Sequence, residues 1–226
     1  VSVCLSPTKR KRFHCGARNQ VVKTEEGENV SSNPGTEFNI PLIQDCVYTS
    51  CYCEENVWKL CEHIQLKFPE HQKNCFCVFI SNQEKKIPLW CQKSSSEEDG
   101  LVIWDYHVIF VYKSKDKSLV YDMDTRLPFP CDIEEYLSKA IRSDMLIKPE
   151  FHRFFRVIPS EEFIRRFASD RSHMLNEDGE WIKQPPNYPC IQTKESTNNI
   201  QDFINMCPGT GHGTVMDLSD FKKKFN

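Results

Sequence analysis

Four short segments rich in β-branched and aromatic residues constrain the fold of this chain more than any other feature. Each is bounded by turn-like clusters of Ser, Asn, Asp, Gly and Lys, which predicts strands joined by short connections. Short connections favour antiparallel neighbours, because parallel strands need a long crossover. The chain therefore predicts a mostly antiparallel sheet. Its predicted strands cover about residues 75–81, 87–92, 102–113 and 118–124.

Helical patterns precede and follow these strands. The clearest runs from Cys53 to about residue 68, where Val57, Leu60, Cys61 and Ile64 form the i, i+3, i+4, i+7 stripe of a helix packed on a core. Strands followed by helices predict an α+β class, in which helices pack on the antiparallel sheet. Further helices are predicted at about residues 132–142, 160–168, 197–206 and 219–225.

Residues 1–44 differ in composition from the rest of the 226-residue chain. They lack sustained periodicity, which predicts a disordered or loosely attached N-terminal extension. Their basic run, Lys9 to Arg12, is more typical of solvated charges in a flexible tail than of a nuclear-import signal. Residues 45–226 are long enough for one well-cored domain, and we expect a single one.

The overall charge argues against two classes of partner. A formal net charge of −3 and a pI near 6.2 do not favour a nucleic-acid or anionic-membrane surface. No apolar run approaches the roughly 20 residues that span a bilayer, and no secretory signal is visible at the start. We therefore expect neither nucleic acid nor a membrane as a partner, and a cytoplasmic location, with a nuclear pool left open by the basic run.

The 12 cysteines raise the alternatives of a disulfide framework and a zinc site. Several lie inside apolar runs, as Cys61, Cys75 and Cys77 do, which is typical of small buried side chains in a reducing compartment. The Cys-x-Cys pairs lack the usual Cys-x₂-Cys spacing of structural zinc, and no spaced His pair accompanies them. The sequence thus predicts reduced thiols and no metal.

Cys53 is the candidate nucleophile, because it lies where a polar stretch turns into the first helix. The N–H groups and dipole of a helix start stabilise a thiolate, so we expect a lowered pKa there. Taken alone, Cys53 is more typical of a buried thiol. A base at His107 and a carboxylate at Asp122 or Asp124 follow in the chain order of a cysteine acyl-transfer triad.

The predicted hairpin of residues 102–113 and 118–124 tests whether these groups meet. If Lys113 pairs with Ser118, Asp124 lies opposite His107 and Asp122 lies diagonal to it, on the same sheet face. A one-residue slip would separate them. The pattern therefore places an imidazole beside a carboxylate but does not decide which aspartate is the partner.

Longer strings around these residues resemble the protein N-terminal glutamine amidohydrolase family. The resemblance extends from about residue 45 to the C-terminus and so marks residues 45–226 as the catalytic domain. The strings are CVYTSCYCEENVW from Cys46, IWDYH from Ile103, YDMDT from Tyr121 with LPFP from Leu127, FASDRSHM from Phe167 and PNYPCI from Pro186.

The resemblance implies a fold and an activity. The implied fold is an α-β-α sandwich related to transglutaminase and papain-like cysteine enzymes. The implied reaction converts an N-terminal glutamine of a protein to glutamate with release of ammonia, and feeds the Arg/N-degron degradation pathway. The family's triad maps onto Cys53, His107 and Asp122, with a thioester intermediate. The resemblance also implies a monomer without a cofactor.

Substrate-binding residues follow less directly. A free α-ammonium must meet carboxylates or carbonyls, and Asp105, Asp170 and Tyr52 beside the nucleophile are the candidates. Two other classes are open: a papain-like protease or transglutaminase-type enzyme with the same triad, and an inactive binding protein for N-terminal glutamine. The intact Cys, His and Asp argue against the latter.

Overall fold

A six-stranded antiparallel sheet is the centre of the computed structural model, which describes residues 40–226. The strand order is β6-β5-β4-β1-β7-β8, and a separate antiparallel pair joins β2 to β3. The strands are Cys75–Ser81 (β1), Ile87–Leu89 (β2), Val102–Trp104 (β3), Tyr106–Lys113 (β4), Ser118–Tyr121 (β5), Cys131–Asp132 (β6), Phe154–Pro159 (β7) and Thr214–Met216 (β8).

Helices cover both faces of this sheet. Helices α1, α3 and α4 pack their apolar side chains, such as Val57, Phe163 and Phe203, into one core. Helices α2 and α5 fill a second core on the opposite face with Tyr136 and Phe221. The predicted α+β class is therefore confirmed, with a helix–sheet–helix layering. The helices are Cys53–Lys67 (α1), Ile133–Tyr136 (α2, continued by a π turn over Leu137–Ile141), Ser160–Arg166 (α3), Ile200–Ile204 (α4) and Leu218–Phe225 (α5).

One of the predicted strands forms two separate strands in the structure. The segment 102–113 breaks at Asp105, so that β3 pairs with β2 outside the main sheet while β4 joins it. The predicted strand 87–92 shortens to Ile87–Leu89, because Cys91 adopts a left-handed backbone with φ of 57°. Periodicity alone does not show such a break, since both halves carry strand-forming residues.

Strand β7 was not predicted, although it lies beside β1 in the middle of the sheet. Its charged Arg156 interrupts an apolar run, yet the side chain is fully buried. The guanidinium donates to the carbonyl oxygens of Asn205, Thr210 and His212, at 3.0, 2.7 and 2.7 Å. A buried charge is tolerated where it is hydrogen-bonded in this way.

The β4–β5 hairpin has the register that the sequence predicts. Lys113 pairs with Ser118 and Phe110 pairs with Tyr121 across the turn. The ladder ends there, just before Asp122, so that the chain leaves the sheet beside His107. This end of the hairpin is where the candidate site forms.

The structure leaves the predicted N-terminal extension largely untested. Residues 1–39, with the Lys9–Arg12 run, lie outside the described residues, and the boundary at residue 45 stays a prediction. Among residues 40–226, no helix combines the length and apolar character needed to cross a membrane.

The ten cysteines within residues 40–226 are all free thiols. Several lie in the core as small apolar side chains, and burial raises the pKa of Cys61 and Cys77 well above the ordinary value. Such thiols are protonated and poorly reactive. Cys4 and Cys15 lie outside the described residues.

Because the core packs without covalent cross-links, we expect the melting temperature to be the same with and without a reducing agent. Thermal unfolding followed by circular dichroism, in paired samples with and without dithiothreitol, measures this. A large fall in melting temperature under reducing conditions would instead show that a disulfide stabilises the fold.

Candidate active site

The loop before α1 sets the position of Cys53, the first residue of that helix. The Asn56 side chain reaches back across the helix start, accepting from the Thr49 N–H at 2.8 Å and donating to the Thr49 carbonyl at 2.9 Å. Cys51 adopts a left-handed backbone with φ of 68° to make the tight turn. The first N–H groups of a helix have no intrahelical acceptor, so the Cys53 backbone N–H is available at this position.

The Cys53 thiol lies against β4 and is only 9% exposed. Its sulfur accepts a hydrogen bond from the backbone N–H of Val108, the residue after His107. The thiol itself donates to Glu54 Oε2 at 3.6 Å. These contacts bring the predicted nucleophile to the residue next to the predicted base.

The expected lowering of the Cys53 pKa is wrong for this state of the protein. Burial raises the pKa of the thiol well above its ordinary value, and the carboxylates of Glu54, Asp124 and Asp105 add to this, against the Val108 N–H. The helix start does not offset a desolvated sulfur surrounded by negative charge. The resting nucleophile is therefore the thiol, which needs a base to become active.

His107 and Asp122 form a buried pair at the end of the β4–β5 hairpin. Their Nε2 and Oδ1 atoms are 3.0 Å apart. Two further donors fix the carboxylate: the Asp124 N–H donates to Oδ1 at 2.9 Å and the Tyr136 hydroxyl donates to Oδ2 at 2.8 Å. The Trp104 ring stacks on the imidazole with centroids 5.2 Å apart. The second ring nitrogen, Nδ1, is buried and has no hydrogen-bond partner among the described residues.

The charges of this pair support each other. Burial lowers the pKa of His107, but the charge and hydrogen bond of Asp122, followed by Asp124 and Glu54, outweigh it and raise the pKa above the ordinary 6.5. Burial raises the pKa of Asp122, but the charge and hydrogen bond of His107 together with the other donors lower it below the ordinary 3.8. The pair thus stabilises the imidazolium that forms when His107 accepts a proton, beside a carboxylate that stays charged.

Asp124 lies beside the pair but is bonded differently. It is partly exposed and accepts from the Tyr48 hydroxyl at 2.6 Å. Potential ligand atoms of His107, Asp122 and Asp124 lie within 4.8 Å of one another, which is close enough for a metal ion. Hydrogen-bond donors already occupy both Asp122 oxygens and one Asp124 oxygen, however. This donor set fits an acid–base pair better than a metal centre.

Two buried glutamates that follow Cys53 were missed by the sequence analysis. Glu54 accepts from the Tyr106 hydroxyl at 3.1 Å, and its other oxygen lies 3.5 Å from His173 Nε2. Glu55 forms a bidentate ion pair with Arg171, with both N–O distances 2.8 Å. Glutamates in the first turn of a helix commonly face solvent. The burial of Glu54 and Glu55 is evident only from their partners, which lie far away in the sequence.

Arg171 also ties a distant loop to the start of α1. Besides pairing with Glu55, its guanidinium donates to the carbonyl oxygens of Pro186 and Tyr188 at 3.2 and 3.0 Å. The loop around residues 185–189 is thereby fixed beside the start of α1. The family-like strings from Phe167 and from Pro186 meet at this point.

The three candidate substrate-binding residues lie at different depths. Tyr52 is fully buried, and its hydroxyl donates to the Lys183 carbonyl at 3.0 Å. Asp170 is exposed and accepts from the Ser172 N–H and the Asn198 amide at 2.9 and 2.7 Å. Asp105 is partly exposed and near enough to Cys53 to raise the pKa of its thiol. Their roles in substrate binding stay predictions.

A thiol, an imidazole and a carboxylate at a helix start and a hairpin end are the groups that cysteine acyl-transfer enzymes use. Comparison with known proteins narrows this class. The N-terminal glutamine amidase family model matches residues 48–225. The chain therefore belongs to the N-terminal glutamine amidase family.

Curated relatives carry the corresponding name. Proteins called protein N-terminal glutamine amidohydrolase from Drosophila mojavensis and Drosophila grimshawi are each 49% identical to this chain, and that of Drosophila melanogaster is 48% identical. Each match extends over 191 residues, which is 84% of this chain and 93% of the relative. The similarity thus covers most of this chain and nearly the whole of each relative.

The charges of His107 and Asp122 predict how stability depends on pH. Because folding raises the pKa of His107, this residue contributes to the free energy of unfolding below pH 6.5. The contribution is lost as the pH rises through the folded-state pKa of His107. Because folding lowers the pKa of Asp122, this residue contributes to the free energy of unfolding above pH 3.8. The contribution is lost as the pH falls through the folded-state pKa of Asp122. We expect Asp122→Asn to lower the free energy of unfolding most at mildly acidic pH, and less as the pH rises above the His107 pKa.

Urea denaturation of both proteins across this range measures the difference. Asp116→Asn, at the exposed turn of the same hairpin, is the matched control and should show no such pH dependence. A deficit of Asp122→Asn that grows with rising pH would contradict the proposed charge pairing.

Proposed function

We propose that the protein hydrolyses the side-chain carboxamide of an N-terminal glutamine, giving N-terminal glutamate and ammonia. The observation that carries this proposal is the buried His107–Asp122 pair, 3.0 Å between Nε2 and Oδ1, next to the Cys53 sulfur. Membership of the N-terminal glutamine amidase family supports the substrate. The named relatives indicate that the bond broken is the amide of glutamine rather than a peptide bond.

Acylation begins with proton transfer from Cys53 to His107. The unpartnered Nδ1 is the atom that we assign to accept this proton, because Nε2 is held by Asp122. The thiolate sulfur forms a bond to the carboxamide carbon, and the carbonyl oxygen becomes an oxyanion. The Cys53 backbone N–H at the helix start is a donor for this oxyanion. His107 then protonates the departing nitrogen, and ammonia leaves a glutamyl thioester.

Deacylation reverses the roles with water in place of ammonia. His107 removes a proton from water, whose oxygen bonds to the thioester carbon, and the Cys53 sulfur leaves and regains its proton from His107. The net reaction adds one water to the amide and requires no cofactor. Asp122 orients the imidazole and stabilises its cation in both halves, and the Tyr136 hydroxyl holds the carboxylate in place.

Other parts of the proposal concern the setting of the reaction. We propose that Tyr52, Asp105 and Asp170 contribute to the substrate site, with Asp105 facing the nucleophile and the other two shaping the surrounding loops.

We also propose a cytoplasmic monomer, with a nuclear pool left open, whose product enters the Arg/N-degron pathway. The free thiols of the described cysteines support a reducing compartment. Kinship with transglutaminase and papain-like enzymes is part of this proposal.

Mass spectrometry of peptides after incubation with the enzyme tests the reaction. We expect a Gln-initiated peptide to become Glu-initiated with release of ammonia, and Asn-initiated and internal-Gln peptides to stay unchanged. Cys53→Ala should abolish turnover with the fold intact, because it removes the nucleophile, whereas Cys51→Ala should keep most activity. Chain cleavage or cross-linking by the wild type would favour a protease or a transglutaminase instead, and full activity of Cys53→Ala would refute the mechanism.

The third member of the triad can be tested separately. Asp122→Asn keeps the size of the side chain but removes the charge that stabilises the His107 imidazolium. The equivalent change in a serine triad costs ~10⁴ in kcat. We expect on the order of 10²–10³ in kcat/KM on a Gln-initiated peptide, because a thiol depends less on its base. Near-wild-type activity of folded Asp122→Asn would remove this residue from the mechanism.

A further inference from the structure

The Cys53 nucleophile lies among more negative charge than its own chemistry requires. Asp122 is balanced by the imidazole of His107. Glu54, Asp124 and Asp105 remain, and each raises the pKa of the Cys53 thiol. A site that must form a thiolate gains nothing from three carboxylates around the sulfur, unless a cation arrives with the substrate.

The hydrogen bonding of the site also indicates a missing group. Glu54 is fully buried beside the sulfur, yet its Oε1 has no hydrogen-bond partner among the described residues and lies 3.5 Å from His173 Nε2 without a well-formed bond. Buried polar atoms are normally paired. An unpaired carboxylate oxygen next to the nucleophile lacks a donor, and an ammonium group supplies three.

Asp124 is a carboxylate that a ligand can reach. It is partly exposed, whereas Glu54 is fully buried. Its side chain accepts a hydrogen bond from the Tyr48 hydroxyl, and the Tyr48 residue is itself 47% exposed. Tyr48 lies in the loop that precedes Cys53, and its contact with Asp124 is exposed to solvent.

The surroundings of Asp124 leave its charge without a direct counter-ion. Burial and Asp122 raise the pKa of Asp124, while His107, Tyr48 and Lys93 act in the opposite direction. The Lys93 ammonium donates to the Met123 carbonyl at 2.8 Å. Among residues 40–226, Asp124 forms no ion pair within 4 Å.

From these contacts we infer that Asp124 binds the α-ammonium of the N-terminal glutamine, displacing or sharing the Tyr48 hydroxyl. This inference rests on the proposed function, since it assigns the residue that recognises that substrate. A chain beginning with glutamine presents a cation and a carboxamide on the same residue, and an internal glutamine lacks the cation. An internal glutamine offers a neutral peptide N–H at that position and leaves the carboxylate uncompensated.

Binding of the ammonium by Asp124 also distinguishes glutamine from asparagine, because the two differ in the distance from the ammonium to the carboxamide. Four bonds separate the ammonium nitrogen of glutamine from its carboxamide carbon, a span of about 5 Å when extended. An oxygen of Asp124 lies within 4.8 Å of a His107 ring nitrogen, and His107 must reach the reacting group. Asparagine is one methylene shorter. When Asp124 binds the ammonium of an N-terminal asparagine, the carboxamide of that asparagine therefore lies farther from the Cys53 sulfur. Such misplacement lowers the rate through lost orientation.

The other acidic candidates fit this role less well. Asp105 raises the pKa of the Cys53 thiol less than Asp124 does, and its Oδ1 accepts from the Tyr106 N–H at 2.9 Å. Asp170 is engaged by Ser172 and Asn198 in its own loop. Asp124 therefore serves as the ammonium ligand, and the charge of the bound substrate offsets the carboxylates around the sulfur when the thiolate has to form.

The experiment compares two substrates on the same enzyme preparations. One is a Gln-initiated peptide, and the other is the same peptide with the α-amino group replaced by hydrogen. We expect the wild type to prefer the amine-bearing peptide in kcat/KM, and Asp124→Asn to lower this preference by on the order of 10²-fold, since it removes the charge partner of the bound ammonium. A loss of folded protein lowers both rates equally and cancels from the ratio.

Matched variants decide between the candidates. Asp116→Asn, at the exposed turn of the same hairpin, should keep the wild-type preference, and Asp124→Glu, which retains the charge, should keep most of it. An unchanged preference in Asp124→Asn, or its loss in Asp105→Asn alone, would overturn the assignment. Failure of the wild type to deamidate the Gln-initiated peptide would instead refute the proposed function, so the two results are distinguishable.

Discussion

The hydrogen bond between His107 and Asp122 is the interaction on which the rest of the site depends. It forms because the β4–β5 ladder stops at Phe110 and Tyr121, which lets the chain turn Asp122 back toward the imidazole. Three donors converge on the Asp122 carboxylate, so a buried charge is retained without an Arg or Lys partner. The pair then defines which imidazole nitrogen is left for the nucleophile.

A second constraint holds the nucleophile against this pair. Two contacts fix the start of α1. The Asn56 side chain hydrogen-bonds to Thr49 in the preceding loop, and Glu55 forms an ion pair with Arg171. Breaking a buried bidentate pair of this kind typically costs 3–5 kcal/mol, because one charge is left uncompensated. The resting thiol has a raised pKa in this acidic surrounding. The electrostatics thus connect the activation of Cys53 to the arrival of a cationic substrate.

The sequence predicted the parts of this arrangement that depend on local pattern. The stripe of α1 placed Cys53 at a helix start, and the turn after Lys113 determined the hairpin register. Strand β7 was missed, because Arg156 looks like a surface charge until the carbonyl groups that bind it are known. Burial of Glu54 and of Cys53, which is the main cause of the raised pKa of this thiol, could not be read from the sequence, because residues far apart in the chain produce it.

We propose that Cys53 carries the substrate as a thioester, and trapping this acyl-enzyme tests the mechanism. The enzyme is mixed with excess Gln-initiated peptide, quenched in acid within the first turnovers, digested, and mapped by mass spectrometry. We expect a glutamyl-peptide adduct on the fragment that contains Cys53, and we expect hydroxylamine to release it as it releases a thioester. An adduct on another cysteine, or deamidation that proceeds at full rate after Cys53 is alkylated, would contradict it.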